Sequence, residues 1–151
     1  MLTPSDICRN GTEHGHQAAL IAWTRLPMVQ HFMPKAKRIY ACPNGGSRGA
    51  SQGAMFKAEG VRSGIPDLFL PVPTMRRPGL YIEMKKPGEE RIKNGGLSDN
   101  QIAEIDALLD DGYEVKVCYS WKEAALSILQ YFSEYQYTID AITEEGFIYE
   151  R

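Results

Sequence analysis

The stretch GIPDLFLPVPTMRRPGLYIEMKKPG, residues Gly64–Gly88, constrains the fold more than any other part of the chain. Two short apolar segments flank a proline-rich linker, a pattern that predicts a β-hairpin. Side chains alternate between the two faces of a strand. Ile82 and Met84 would therefore face a core, while Glu83 and Lys85 would lie on the opposite face. Charged residues in such a strand call for an explanation beyond packing.

A third charged residue, Asp67, lies in the first strand of this hairpin, where pairing would bring it beside Glu83. Two carboxylates suit Mg²⁺ or Mn²⁺, which are hard cations that prefer oxygen ligands. A bound divalent ion activates water near neutral pH and polarises a phosphoryl oxygen. Lys85 would add positive charge where the transition state becomes more anionic. The substrate that requires this combination is a phosphodiester.

A simpler interpretation needs no site. Asp67 would cap a turn after Pro66, and Glu83 and Lys85 would form a solvated strand face. A bare D…E-x-K pattern occurs by chance. The strand–loop–strand setting, with Gly-Ile-Pro directly before the aspartate, favours the catalytic interpretation.

The rest of the chain alternates between helical and strand patterns, which predicts a sheet with helices packed against it. A helix is expected from Thr12 to Leu26. The further expected elements are a strand at Arg38–Cys42, a glycine-rich loop at Pro43–Gly49, a short helix at Ala50–Glu59, a helix opened by Ser98, a strand at Tyr113–Tyr119 and a helix from a Ser120/Glu123 capping box to about Phe132.

The length of 151 residues predicts one domain, with a core from about residue 12 to residue 132. Residues 133–151 form an acidic, aromatic segment that the pattern does not assign. No apolar run is long enough to span a bilayer, and the first residues lack a signal-peptide pattern. The three cysteines are widely spaced and odd in number, which argues against a disulfide framework. We expect a cytoplasmic protein with no membrane partner.

The formal net charge of −2 hides an uneven distribution. Residues 1–95 contain 14 basic and 7 acidic residues, whereas residues 96–151 contain 3 and 12. Such asymmetry suggests two faces with different functions, although scattered charge that keeps the protein soluble is the simpler interpretation. Basic residues near the hairpin are candidate phosphate contacts, although any one of them could be a solvated charge. They are Arg48, Lys57, Arg62, Arg76, Arg77, Lys86, Arg91 and Lys93. The glycine-rich loop lacks the Lys-Ser/Thr ending of a P-loop, so no nucleotide cofactor is expected.

Three motifs in order, GIPDL, EMK and the S-x-x-Q of Ser98 and Gln101, resemble the VRR-NUC family of virus-type replication and repair nucleases. This family is a branch of the PD-(D/E)xK superfamily. The segment Glu13–Gln17 is similar to the E-x-x-x-Q helix of that family. The resemblance covers roughly Thr12 to Ala125. It implies an α/β, restriction-endonuclease-like fold with a mixed central sheet flanked by helices.

The resemblance also implies roles for individual residues. Asp67, Glu83 and the backbone carbonyl of Met84 would bind the metal ion, and Lys85 would be the catalytic lysine. Glu13 would hold a second metal or a metal-bound water, although an acidic residue in a first helical turn has an equally good local explanation. Gln101 would orient Lys85 or contact a phosphate.

Stand-alone members of the family are typical of phages and bacteria and resemble nucleases of branched DNA, including four-way junctions. The expected activity is therefore Mg²⁺- or Mn²⁺-dependent hydrolysis of DNA by a homodimer, the commonest oligomer, in a bacterial or phage-infected cell. The alternative is a DNA-binding module without catalysis on a degenerate nuclease fold. A structural or interaction protein is a third interpretation, supported only by the acidic, aromatic tail.

Overall fold

The computed structural model describes residues 1–44 and 49–149 and has a mixed α/β fold, as the sequence predicts. The helices within the described residues are α1 (Pro4–Ile7), α2 (Glu13–Thr24), α3 (Pro27–Phe32), α4 (Ala50–Ala58), α5 (Asp99–Asp110) and α6 (Trp121–Phe132). The strands are β1 (Tyr40–Ala41), β2 (Leu68–Leu70), β3 (Leu80–Met84), β4 (Glu114–Cys118), β5 (Ile142–Thr143) and β6 (Gly146–Phe147). Short 3₁₀ turns cover Pro34–Arg38, Glu89–Arg91, Lys93–Gly96 and Ile139–Ala141.

The main sheet has four strands in the order β1-β2-β3-β4. β2 pairs antiparallel with both β1 and β3, so the predicted hairpin is present. β4 pairs parallel with β3, and α5 makes the crossover between them. Parallel strands require such a connection, and it brings the start of α5 to the same end of the sheet as the end of β3.

One face of the hairpin forms the centre of the core. Its apolar side chains are fully buried: Leu68, Leu70, Leu80, Ile82 and Met84. Helices α2 and α6 pack over this face and against each other. The buried side of α6 comes from apolar residues at helical spacing, including Trp121, Ala125, Ile128 and Leu129.

Side-chain caps begin the three long helices at the predicted positions. The side chains of Thr12, Ser98 and Ser120 each accept a hydrogen bond from a backbone N–H of the first turn. The capping box predicted at Ser120 is incomplete, because the Glu123 carboxylate accepts from the N–H of Tyr119 instead, at 2.8 Å. This hydrogen bond joins the residue after β4 to the first turn of α6.

Gly15 is a poor helix former in the first turn of α2, and the structure explains its presence. A Cβ atom at this position would lie 2.4 Å from Oδ1 of Asn10, which accepts from the N–H and hydroxyl of Thr12. The next residue, His16, is buried. Its Nδ1 accepts from the N–H of Trp121 at 3.2 Å, which joins α2 to α6.

The segment after α6, unassigned from the sequence, packs on its own domain. Tyr137, Ile142 and Phe147 are buried in the core, and Gly146 accepts a hydrogen bond from the Trp23 indole at 2.8 Å. Much of its aromatic surface is therefore already covered. Within the described residues, no helix is both long and apolar enough to cross a membrane.

Candidate active site

The register of the hairpin places Asp67 beside Glu83. Leu68 pairs with Ile82, so the preceding residue, Asp67, is directly opposite Glu83. Opposed residues of an antiparallel pair have Cβ atoms about 4.5–5.5 Å apart. The Oδ2 atom of Asp67 also accepts a hydrogen bond from the N–H of Met84 at 2.7 Å. The aspartate is therefore fixed against the backbone of β3, next to the second carboxylate.

Glu83 is buried, with 2% of its surface exposed, which excludes a solvated strand face. Burial and the neighbouring charge of Asp67 raise its pKa from 4.5 to about 8. Its Oε1 atom accepts from the Gln101 amide at 2.5 Å and lies 3.4 Å from Nζ of Lys85. Its Oε2 atom is buried with no hydrogen-bond partner among the described residues. An unpartnered buried carboxylate oxygen is costly, and a bound cation would relieve that cost.

Lys85 and Gln101 complete a hydrogen-bonded group around Glu83. Lys85 is nearly buried, and its Nζ donates to Oε1 of Gln101 at 3.2 Å. The same oxygen accepts from the N–H of Ser98 in the capping box of α5. The helix cap thereby orients the Gln101 amide so that its oxygen faces the lysine and its nitrogen faces the glutamate.

Glu13 lies at the start of α2 and is close enough to the site to sense its charges. Its pKa is raised first by burial and then by the charge of Asp67, while the charge of Lys85 acts in the opposite direction. The helix brings this third carboxylate to the same end of the sheet.

Asn44 is a site residue that the sequence analysis did not identify. Its Nδ2 atom donates to Oδ1 of Asp67 at 3.0 Å, so both oxygens of that aspartate accept hydrogen bonds. The contact exists because β1 pairs with β2, and Cys42 beyond β1 donates its N–H to the Asp67 carbonyl at 2.8 Å. No short-range pattern marks Asn44, since only the strand pairing brings the two segments together.

The donor set at this point fits a divalent ion such as Mg²⁺ or Mn²⁺. Asp67 and Glu83 supply neighbouring carboxylates, and one oxygen of Glu83 has no protein partner. Mg²⁺ is commonly held by one or two carboxylates with several waters. No group of three His, Cys, Asp or Glu side chains lies ready-made as a metal cluster within residues 1–44 and 49–149. A two-carboxylate site with open positions is the arrangement that the residues offer.

Four of the predicted phosphate contacts lie on segments next to the site. Lys57 is exposed in the last turn of α4, and Lys86 is exposed just after β3. Lys93 lies in the turn before α5, and Arg62 pairs with Glu104 of α5 at 2.6 Å. The predicted contact Arg48 lies outside the described residues.

Arg76 and Arg77 are close to the site in sequence but not in space. They occupy the β2–β3 linker, at the opposite end of the hairpin from Asp67 and Glu83. Arg76 lies 3.5 Å from a carboxylate oxygen of Glu134, and Arg77 donates to the carbonyl of Gly112. The structure therefore does not bring these two residues together with the others.

Comparison with known proteins identifies the domain to which the chain is similar. The profile of the VRR-NUC domain matches residues 6–122, which is well over half of the chain. A solved structure described as a VRR_NUC domain protein is similar, with a TM-score of 0.62 and 27% sequence identity. The similarity covers 80% of this chain and 88% of that one. No curated protein matches the sequence. The chain belongs to the VRR-NUC domain family, a family of nucleases.

Proposed function

We propose that this protein is an endonuclease that hydrolyses phosphodiester bonds of DNA with Mg²⁺ or Mn²⁺. The observation that carries the proposal is the environment of Glu83. The Glu83 carboxylate is buried beside Asp67 and Lys85, and one of its oxygens has no hydrogen-bond partner among the described residues. A structural carboxylate in this position would have its oxygens satisfied by donors.

Each residue of the group has a distinct task. Asp67, Glu83 and the Met84 carbonyl would hold the ion, with Asp67 fixed by its hydrogen bonds to Met84 and Asn44. When bound, the ion supplies an activated water near neutral pH and positive charge for the phosphoryl oxygen. Lys85 contributes a fixed positive charge toward the transition state. Gln101 accepts a hydrogen bond from Lys85 and donates one to Glu83, and so fixes both side chains relative to each other.

Glu13 would bind a second ion or one of the waters of the first, since its pKa responds to the charge of Asp67. Lys57, Arg62, Lys86 and Lys93 would contact DNA phosphates on either side of the site. Binding would therefore weaken as salt increases, with little dependence on sequence.

The substrate class we propose is branched DNA, including four-way junctions, because stand-alone members of the family resemble nucleases of such DNA. A junction needs two cuts in opposed strands, so the proposed assembly is a homodimer with one site in each subunit. DNA of a bacterial or phage-infected cell lies in the cytoplasm, which is the expected location.

The test is a cleavage assay on end-labelled four-way junctions, flaps, duplexes and single strands, with Mg²⁺, with Mn²⁺ and with chelator. Products with either ion and none with chelator are expected, with branched DNA cut fastest. DNA binding without cleavage under every ionic condition would favour the alternative of a non-catalytic module. The presence of Asp67, Glu83 and Lys85 together counts against that alternative.

A further inference from the structure

A cavity of about 710 Å³ lies beside the site, between the segment after β1, helix α4 and helix α5. Its volume falls within the range of about 300–1,000 Å³ that is usual for small-molecule sites. Residues that line it include Asn44, Gly53, Lys57, Arg62, Asn100 and Ala103. None of the roles assigned to Asp67, Glu83, Lys85 or Gln101 uses this space.

The cavity adjoins the site through two of its lining residues. Asn44 lines the cavity and donates a hydrogen bond to Oδ1 of Asp67 at 3.0 Å. Asn100 lines it and directly precedes Gln101, whose amide contacts Glu83 and Lys85. A group that occupied the cavity would therefore lie next to Asp67 and Glu83.

The wall formed by α5 is rigid. Gly64 has a φ angle of +86°, and a Cβ atom there would lie 2.6 Å from the backbone oxygen of Asn100. The Asn100 amide donates to the hydroxyl of Ser63 at 3.2 Å, and Arg62 pairs with Glu104 at 2.6 Å. These contacts fix the segment before the hairpin against the start of α5, so this side of the cavity is preformed.

The lining chemistry matches a nucleotide. Lys57 and Arg62 are cations of the type that contacts phosphate, and Arg62 is paired with Glu104, which also lines the cavity. The amides of Asn44 and Asn100 are of the type that hydrogen-bonds base edges, and Phe56 contributes an aromatic ring to the lining. The opposite wall is α4, and none of its nine residues is buried in the core.

We propose that this cavity receives one unpaired nucleotide of the DNA, next to the phosphate that is cut. The proposal rests on the proposed nuclease function and narrows its substrate to DNA with an unpaired nucleotide at the cleavage point. A base inside a duplex cannot reach such a pocket without the cost of unpairing, whereas an already unpaired base enters without that cost. Flaps supply such bases directly.

Two substitutions would fill the cavity from opposite walls. Ala103→Leu acts from α5, where Ala103 is exposed. Gly53→Leu acts from α4, where a Cβ atom meets nothing within 4 Å and the helix gains a better helix former. Ala107→Leu is the matched control, because it is the same change at an exposed position one turn further along α5, outside the cavity lining.

Binding is measured without divalent ions, so that no cleavage occurs. The probes are a duplex with one unpaired 2-aminopurine nucleotide and the same duplex fully paired. Unmodified protein should bind the unpaired probe roughly tenfold more tightly, as expected for capture of one base. Both cavity variants should lose this preference, while Ala107→Leu keeps it. Equal affinity of the unmodified protein for both probes, or an unchanged preference in both cavity variants, would overturn the proposal.

Cleavage of the same two DNAs with Mn²⁺ separates this proposal from the nuclease assignment. If the unmodified protein cuts both DNAs and the cavity variants cut them at unmodified rates, the pocket assignment fails and the nuclease assignment stands. If no protein cuts but the unpaired probe is still preferred, the nuclease assignment fails and the pocket remains.

Discussion

At the scale of single residues, Glu83 is buried although it lies on the charged face of β3. Its sequence position gives the face on which it lies, because side chains alternate along a strand. Its burial depends on α5 and Gln101, which are distant in the chain. Sequence periodicity therefore predicts the convergence of Asp67 and Glu83, but not the dry environment or the contact from Asn44.

Removal of either carboxylate should abolish cleavage. We expect Asp67→Asn and Glu83→Gln each to lower the rate by at least about a hundredfold, which corresponds to about 2.7 kcal/mol of transition-state stabilisation. Both replacements keep the size of the side chain, so DNA affinity in chelator should change little. Rates of cleavage near that of the unmodified protein, with Mg²⁺ present, would show that the ion is held elsewhere.

The raised pKa of Glu83 predicts how the metal-free protein responds to pH. Its pKa is about 8 in the fold and 4.5 in an exposed chain, so the folded state keeps a proton that the unfolded state releases. Stability from this group is complete below about pH 4.5 and is lost as the pH rises to about 8. Thermal unfolding in chelator should show this loss, and Glu83→Gln should flatten it. An identical pH slope in the variant would assign the effect to other groups.

Lys85 should act mainly in the transition state. Lys85→Met should lower the rate of cleavage far more than the affinity for DNA, because its charge faces Glu83 rather than solvent. The control is Lys86→Met, the same change at the next, exposed residue. That variant should weaken binding and reduce the salt slope by about one, with a small effect on the bound rate. Equal losses of affinity in both variants would make Lys85 an ordinary phosphate contact.

At the scale of elements, the start of α5 serves both the helix and the site. Gln101 closes the capping box with Ser98 and also contacts Glu83 and Lys85. Glutamate and glutamine serve equally well at this position of a capping box. The cap uses only the side-chain oxygen of Gln101, whereas the site also uses its amide nitrogen, which donates to Glu83. The choice of residue therefore reports on the site and not on the helix.

This dual role leads to a test with the substitution Gln101→Glu. The helix should keep its capping box, but two carboxylates would then meet at Glu83, and like charges at that distance disfavour the ionised site. We expect cleavage to fall at least about tenfold with unchanged helical circular dichroism. Ser98→Ala should show the reverse pattern, a loss of about 1 kcal/mol in unfolding free energy with a smaller loss of rate. A Gln101→Glu variant of full activity would remove Gln101 from the site.

The elements that the sequence predicts are those with a local signal. The hairpin and the caps of α2 and α5 follow from the alternation of apolar residues and from the capping residues. Helices α1 and α3 have only four and six residues, which is too short for a helical repeat of apolar residues to be recognised in the sequence. The backbone N–H of Ser5 in α1 donates to Glu144 of the tail at 3.1 Å.

At the scale of the whole molecule, the site and the end of α6 lie at opposite ends of the sheet. The site is at the end of β3 and the starts of α2 and α5, whereas α6 finishes at the far end of the hairpin. There the Tyr131 hydroxyl donates to the Val72 carbonyl in the β2–β3 linker at 2.7 Å. Glu134 of the C-terminal segment lies at this end, 3.5 Å from Arg76 of the same linker.

An apolar patch at the tail end is the surface on which we expect two copies to associate. Phe32 stacks on Tyr149 with ring centroids 4.8 Å apart, and both rings remain over 40% exposed. With Tyr135 they line a groove of about 490 Å³. Exposed aromatic residues are enriched in interface cores. Because this patch is remote from Asp67 and Glu83, a two-fold pair built on it would leave both sites open to DNA.

We therefore expect a dimer by sedimentation at micromolar concentration, and paired incisions on a four-way junction. Tyr149→Asp should convert the protein to a monomer that still nicks, because the charge is buried in the interface but lies far from the site. Tyr40→Asp is the control, since Tyr40 is exposed to a similar extent on β1 and outside the groove. A monomer that makes unlinked nicks before any substitution would contradict the dimer and leave the nuclease assignment intact. If Tyr40→Asp dissociated the dimer and Tyr149→Asp did not, the interface would lie at the β1 edge of the sheet instead.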